Sequence, residues 1–478
     1  MTQPRSERPD EPRGENRPPL APSSLRWLDG TSLAQRKSRG QYLTPRPVAE
    51  ALVDRIPLKP GMAVLDPGVG TGELLAAVAR RCPGADLTGW DIDPTALAAA
   101  TELVPGATLE LRSALELADP GPAADGTFAG PGDYGPGDSD TGGAGPAAGF
   151  DLVIANPPYF QVPVTPQMKA RFGGVISGRA NVFALFFKVG LDLLAPEGTL
   201  AFVVPPSMNS GAYFESLREH IVARAAITDL TLLEGSGIFE GANTAAQLLV
   251  LRKDGGRGDR PKYSSGPSGQ PFVFERRDED ADFRRVIFSR NPEELEAGFE
   301  GRQTLWQLGY EAVTGTVVWN QHRDALRRQA GPESVPLVWS RDLQGGTLNL
   351  VRGPGARPRQ LAQSVRERRG GGAGRSPADS KPGFVTGRPA LSGPALLVNR
   401  VVGSVGRGEL RTGLVPAGTG FVAENHVNVI RPRPRLRQLA GWEELQARLS
   451  RPGVGDRLRL LTGNTQISAT ELTHLLPL

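Results

Sequence analysis

The tetrapeptide Asn156-Pro157-Pro158-Tyr159 combines residue types suited to chemistry on a weakly nucleophilic nitrogen. Two consecutive prolines fix the backbone and remove two N–H donors. What the turn offers is therefore acceptors, the Asn156 side-chain oxygen and the Pro157 carbonyl. Amide and aniline-like nitrogens share their lone pair with an adjacent π-system and are poor nucleophiles. Two acceptors on the two N–H protons favour a more pyramidal nitrogen whose lone pair is free to meet a methyl donor. Positioning and preorganised electrostatics do this without a general base. Tyr159 adds a flat face against which a planar substrate can stack. The plain alternative is an ordinary proline-rich turn after a strand.

A second stretch weighs against that alternative. Asp66-Pro67-Gly68-Val69-Gly70-Thr71-Gly72 follows a short apolar run and opens a helical pattern. Glycines there let the backbone turn tightly and approach a ligand that a Cβ would displace. The next strand ends in Gly89-Trp90-Asp91-Ile92-Asp93-Pro94, and an acidic side chain at that tip suits the two hydroxyls of a ribose. The pair of features fits S-adenosylmethionine as well as NAD. No GxxxxGK[ST] occurs, which argues against a P-loop nucleotide hydrolase.

These residues need a frame. Strands are expected at 62–66, 87–92, 108–111, 150–155, 198–204, 228–233 and 245–251, with helices at 73–81, 94–103, 181–194 and 210–223. Such repeats predict an α/β protein with a parallel, doubly wound sheet. The Asn156 turn then falls at the carboxyl end of the fourth strand, where open α/β sheets bind ligands. Residues 119–149 interrupt the order: 10 Gly and 5 Pro in 31 residues mark a low-complexity insertion. Residues 1–38 read as a disordered N-terminal segment, rich in Pro, Arg and Glu. The catalytic domain is expected at 39–255, a connecting region at 256–300 and a further domain at 301–478 with a flexible loop at 352–394.

Composition narrows the function. One cysteine, Cys82, excludes a disulfide framework or paired-thiolate zinc site, and four scattered histidines suggest no metal cluster, so no metal is expected. No apolar run reaches 18 residues, and Met1 to Pro22 lacks the apolar core of a signal peptide, so a cytoplasmic protein without membrane contact is expected. Charge is uneven. Residues 301–478 carry 25 Lys and Arg against 12 Asp and Glu, whereas residues 1–300 carry 30 against 39. A basic C-terminal part points to a polyanionic partner, although solvated arginine loops would look the same.

The motifs GQYLTP (Gly40 to Pro45), LDPGVGTG, GWDIDP and NPPY, in this order, resemble the gamma-class adenine-specific DNA methyltransferases of restriction–modification systems. The resemblance spans roughly 40–252. It implies a class I S-adenosylmethionine-dependent fold, a Rossmann-like seven-stranded sheet with one antiparallel strand, followed by a mixed α/β target-recognition domain at 301–478. By that resemblance Asn156, Pro157 and Tyr159 receive a flipped adenine. Thr44 helps hold the cofactor's methionine end, Asp66, Gly68 and Gly70 form its main loop, and Asp91 binds its ribose. Phe239 falls near the aromatic of the target pocket. One position departs: Ser113 stands where the family has an acidic residue contacting the cofactor adenine. The implied partners are duplex DNA and, where a restriction partner exists, a separate cognate endonuclease. Two rivals stay open: a methyltransferase acting on RNA or on a protein glutamine, and a non-catalytic DNA-binding subunit of the same fold.

Overall fold

The computed structural model describes residues 19–115, 149–233, 246–254, 272–278, 283–343, 346–348, 382–400, 410–462 and 466–478. Most of the expected insertion, residues 352–381 of the expected loop, and Phe239 lie outside the described residues. The chain divides into two compact units, one of residues 1–209, 213–275 and 286–292, the other of residues 210–212, 276–285 and 293–478.

The first unit is built on a seven-stranded sheet. In chain order its strands are β1 (Ala63–Asp66), β2 (Asp86–Asp91), β3 (Thr108–Leu111), β4 (Phe150–Ala155), β7 (Leu194–Val204), β8 (Ala225–Leu232) and β9 (Gln247–Lys253). A short hairpin, β5 (Gln161–Val162) with β6 (Ala180–Asn181), lies outside it and carries α6 (Pro166–Phe172) between its strands. The order across the sheet is β3-β2-β1-β4-β7-β9-β8. β1 to β4 and β7 are parallel, and β9 runs antiparallel to both β7 and β8. The central strands are apolar throughout because both faces are covered. Along β4, Leu152 and Ile154 enter one core cluster while Val153 and Ala155 enter the other, the period of two that a strand imposes. The first cluster includes residues of α3 (Arg46–Val53) and α4 (Glu73–Arg81), the second those of α7 (Val182–Leu193) and α8 (Glu215–Val222).

The N-terminal expectation needs correction. Residues 22–30 and 33–39 form two helices, α1 (Pro22–Gly30) and α2 (Leu33–Arg39), rather than part of a disordered segment. Trp27 and Leu28 are buried against Ala96 of α5 (Pro94–Leu103), and the Trp27 indole N–H donates to Thr95 Oγ1 at 3.0 Å. Two buried apolar side chains, Trp27 and Leu28, with buried Ser23 and Ser24 and polar anchors hold α1, so little apolar signal marks it in the sequence. β7 also begins earlier than expected, at Leu194. A register shift opposite Phe150 and Leu152, together with Glu197 at φ 63°, absorbs the Pro196–Gly198 stretch that reads as a turn.

Nor is 256–300 a plain connector. Residues 273–278 and 283–288 pair as a two-stranded sheet, and a helix follows at Pro292–Ala297. In the second unit one five-stranded sheet has the order Tyr310–Thr314, Val427–Pro432, Ala395–Asn399, Thr412–Val415, Gly346–Thr347. A second five-stranded sheet includes Ser334–Val338, Phe384–Thr386, Leu391–Ser392 and Gly420–Ala423, so residues 384–386 and 391–392 of the expected flexible loop are strand. Helices Trp442–Leu449 and Val454–Thr462 complete the described part with the terminal turn Glu471–Leu475.

Candidate active site

The parallel strands of the first unit end together, and the motif residues collect there. Asp66 closes β1, and the chain turns sharply before α4. Gly70 (φ 52°) and Gly72 (φ 90°) adopt the left-handed conformation that side chains disfavour. A Cβ built on Gly70 would meet nothing within 4 Å, so this part of the loop leaves room above its backbone. Asp66 is 1% exposed and accepts from the Gly68 N–H at 3.1 Å. Burial, reinforced by the nearby Asp91 charge and opposed by the Gly68 bond, pushes its carboxyl up to about 8.

Asp91 ends β2, beside β1 in the parallel ladder. One oxygen accepts from Gly70 N–H at 2.8 Å, the other from Asp93 N–H at 2.9 Å. Those two bonds fix the carboxylate, while burial raises its pKa. Next to it Ile92 is 64% exposed, an apolar side chain at the strand tips with Leu111 at 65%. Ser113, beyond β3, accepts from Leu115 N–H at 3.2 Å through its hydroxyl.

Asn156 follows β4 directly. Its Nδ2 donates to the Tyr42 carbonyl and to the Thr44 hydroxyl, both at 3.1 Å. A carbonyl accepts only, so the amide orientation is decided and Oδ1 faces the other way. Oδ1 accepts from the Tyr159 hydroxyl at 2.8 Å, and that hydroxyl is also 2.8 Å from the Val203 carbonyl. Tyr159 stands edge-on to Phe183, with ring centroids 6.1 Å apart at 87°. Among the described residues nothing donates to the Pro157 carbonyl. Gly40 explains why the GQYLTP segment lies so close. It has φ 63°, and a Cβ there would come within 2.6 Å of the Phe160 ring and 2.9 Å of Pro158 Cβ.

Thus Asn156, Pro157, Tyr159, Thr44, Asp66, Gly68, Gly70 and Asp91 all lie at the strand ends or on segments packed against them. The Thr44 hydroxyl accepts from Asn156 Nδ2 at 3.1 Å. Sequence reasoning missed Tyr42, Ile92 and Asp93. Asp93 caps α5, accepting from Thr95 N–H, and its other oxygen accepts from Gln41 at 3.0 Å and from Arg39 at 2.9 Å. The signal was present in the Asp-Ile-Asp-Pro spacing, where proline at the first helical position makes the preceding acid a cap.

Residues 28–92 match the family model described as N-6 DNA Methylase, and residues 135–239 match the model described as Eco57I restriction-modification methylase. The first unit has a doubly wound α/β fold whose seven-stranded sheet is parallel except for β9. The chain is 25% identical over 342 residues to the type II methyltransferase M.TthHB8I of Thermus thermophilus, covering 66% of this chain and 68% of that protein. It is 36% identical over 131 residues to a release factor glutamine methyltransferase of Caulobacter vibrioides, covering 27% of this chain and 38% of that one. A class I methyltransferase structure from Listeria monocytogenes superposes with TM-score 0.36 at 19% identity, covering 52% and 72% of the two chains. Against four modification methylases that it resembles in sequence, the chain spans between 41% and 68% of their length. No helix among the described residues is long and apolar enough to cross a membrane.

Proposed function

We propose that the protein is a gamma-class methyltransferase that moves a methyl group from S-adenosylmethionine to the exocyclic amino nitrogen, N6, of adenine in a specific duplex DNA sequence. The observation that carries this reading is the Asn156 amide, locked by Tyr42 and Thr44 so that Oδ1 faces away from both. Beside it the Pro157 carbonyl supplies the second acceptor that an amino group requires.

The cofactor end has the donor and acceptor set that the group needs. Bound S-adenosylmethionine supplies an electrophilic methyl on a sulfonium sulfur. Asp91, held by Gly70 and Asp93, accepts from ribose hydroxyls. Exposed Ile92 offers an apolar face to a purine, and the Ser113 hydroxyl takes the place of an acidic contact. Asp66 provides a carboxylate for a cationic amino acid end, and the open space over Gly70 allows close backbone approach.

The target adenine leaves the duplex, which costs a few kcal/mol that stacking and hydrogen bonds in the pocket offset. Asn156 Oδ1 and the Pro157 carbonyl would accept hydrogen bonds from its two amino N–H groups and so turn the nitrogen lone pair toward the methyl that the cofactor would supply, its carbon–sulfur bond breaking as the nitrogen–carbon bond forms and a neutral thioether leaving. Tyr159 need not vacate the site, because its single hydroxyl proton has the Val203 carbonyl as an equidistant acceptor. Oδ1 then has a lone pair for the substrate. The displaced proton passes to water. The basic second unit binds the duplex, and a separate restriction endonuclease is the cognate partner such modification calls for.

A second reading has one observation in its favour, the likeness to a glutamine methyltransferase, since the same two acceptors suit any planar amide nitrogen. Labelled methyl transfer to duplex DNA, against transfer to protein, separates them. With duplex DNA we expect label at adenine N6. Asn156→Ala should lose at least 100-fold in turnover, on the order of one preorganised group in the transition state, and still bind cofactor by calorimetry. Full activity in that variant would refute the assigned role.

A further inference from the structure

We infer that Arg400, Asn425 and His426 of the second unit read base edges of the DNA, Arg400 taking a guanine. This rests on the duplex-DNA reading above. The strand Ala395–Asn399 pairs antiparallel with Val427–Pro432, Asn399 opposite Val427. The ladder continues one step further, Arg400 N–H donating to the His426 carbonyl at 2.8 Å. Opposed residues of an antiparallel pair project to the same face, so Arg400 and His426 stand side by side at the end of the sheet. Asn425 is next in the turn, its backbone N–H held by the Val317 carbonyl at 2.9 Å.

Three features distinguish this trio from solvated surface polar groups. Among the described residues Arg400 Nε and Asn425 Oδ1 are buried without a hydrogen-bond partner, although buried polar atoms are normally paired, while Arg400 Nη1 donates to the Asn425 carbonyl at 3.4 Å and so ties the two residues together. Glu424, 2% exposed, accepts from His426 N–H at 3.0 Å and lies 2.7 Å from His426 Nδ1. This fixes the ring and leaves Nε2 as its remaining polar atom on a side chain 44% exposed. The result is a guanidinium fork, a carboxamide and an imidazole nitrogen gathered at one end of the sheet, Arg400 after one strand and Asn425 and His426 before the strand facing it. A fork meets guanine O6 and N7 in two parallel bonds, and a carboxamide meets adenine N6 and N7.

Charge complements the assignment. Arg411 immediately precedes the neighbouring strand at the same end, its N–H bound to Asn399 Oδ1 at 2.6 Å. With Arg451, and with Arg459 ion-paired to Asp456, it lines a cavity of about 480 Å³. Strand alternation puts Arg400 and Arg411 on opposite faces, so a duplex laid across the sheet's end meets both. The cavity arginines are placed to hold backbone phosphate, which fixes register without reading sequence.

The test uses the full chain and duplexes carrying its own methylation motif, identified by modification sequencing, together with single-base variants of that motif. Binding is measured by fluorescence anisotropy over a salt series. Arg400→Ala and Arg400→Lys should each lose roughly 5- to 150-fold in discrimination at one guanine, the range for one bidentate pairing with a base, with nonspecific binding unchanged. Arg451→Ala with Arg459→Ala should weaken all duplexes alike and flatten the salt slope by about one for each phosphate no longer neutralised. Uniform weakening by both Arg400 variants, or discrimination retained in both, overturns the base-reading assignment. An unchanged slope in the double variant overturns the phosphate assignment. Wild-type protein that binds no duplex DNA in a salt-dependent way overturns the functional reading beneath both.

Discussion

Asn156 Nδ2 donates to the Thr44 hydroxyl across 3.1 Å, joining two residues 112 positions apart in the chain. That bond, with its twin to the Tyr42 carbonyl, sets which way the Asn156 amide points. Thr44 is therefore a positioning residue for Asn156. Thr44→Val removes one acceptor and frees the amide to rotate. With about 1–3 kcal/mol at stake in one buried hydrogen-bond partner, kcat should fall roughly 5- to 150-fold. The KM for S-adenosylmethionine should change little, and Thr44→Ser should restore kcat. A rise in cofactor KM with kcat unchanged would instead assign Thr44 to the cofactor, as the family resemblance implies.

Tyr159 divides into a hydroxyl and a ring. Tyr159→Phe keeps the ring against Phe183 and removes only the bond to Asn156 Oδ1 and Val203. We expect a several-fold loss of kcat, the scale of about 1 kcal/mol for one hydrogen bond. Tyr159→Ala also removes the ring from the core, so it should lower unfolding free energy by about 3 kcal/mol and abolish turnover. Denaturant melts alongside single-turnover rates separate the two effects. Equal losses in both variants would mean that the ring contributes nothing.

Asp66 gives the site a pH dependence. Its carboxyl is pushed up to about 8 by burial, so between about 4 and 8 the folded chain holds a proton that the unfolded chain has released. The folded state binds more protons there, and this group's contribution to stability falls as pH rises through that window. A cationic ligand favours the ionised carboxylate. S-Adenosylmethionine binding should therefore release a proton below pH 8 and tighten as pH rises toward 8. Asp66→Asn should flatten both trends, weakening binding while raising the melting temperature at pH 8. Calorimetry in buffers of different ionisation enthalpy reads the proton directly; no release in wild type would remove Asp66 from this role.

Ile92, 64% exposed at the tip of β2, contributes little to the fold but offers apolar area to a ligand. Ile92→Ala should leave stability within about 0.5 kcal/mol of wild type. It should weaken cofactor binding by on the order of 1 kcal/mol, about five-fold. A melting-temperature drop without a change in Kd would place Ile92 in the core instead.

How much of this the sequence carried depends on where the signal was local. Helix 73–81 and strands 108–111 and 150–155 coincide with their expected bounds, because apolar periodicity and flanking turn residues are written in adjacent positions. Most of the strand-end cluster was legible for the same reason, since the LDPGVGTG, GWDIDP and NPPY motifs each lie at the carboxyl end of a strand. What stayed hidden is long-range. α1 and α2 present few large apolar side chains. They are held by pairs such as Ser24 with Thr71 at 2.8 Å and Ala21 N–H with Glu73 at 2.7 Å, which no spacing rule reveals. The orientation of the Asn156 amide likewise depends on Tyr42 and Thr44. Only folding brings them there, and Gly40 permits the approach.

The measurement that bears most directly on the central claim is modification-sensitive sequencing of genomic DNA from a methylation-free host expressing this chain. The account predicts N6-methyladenine at a single sequence motif across the genome, absent when Asn156→Ala is expressed at the same level. A genome with no modified adenine, or with the mark on cytosine instead, would contradict it.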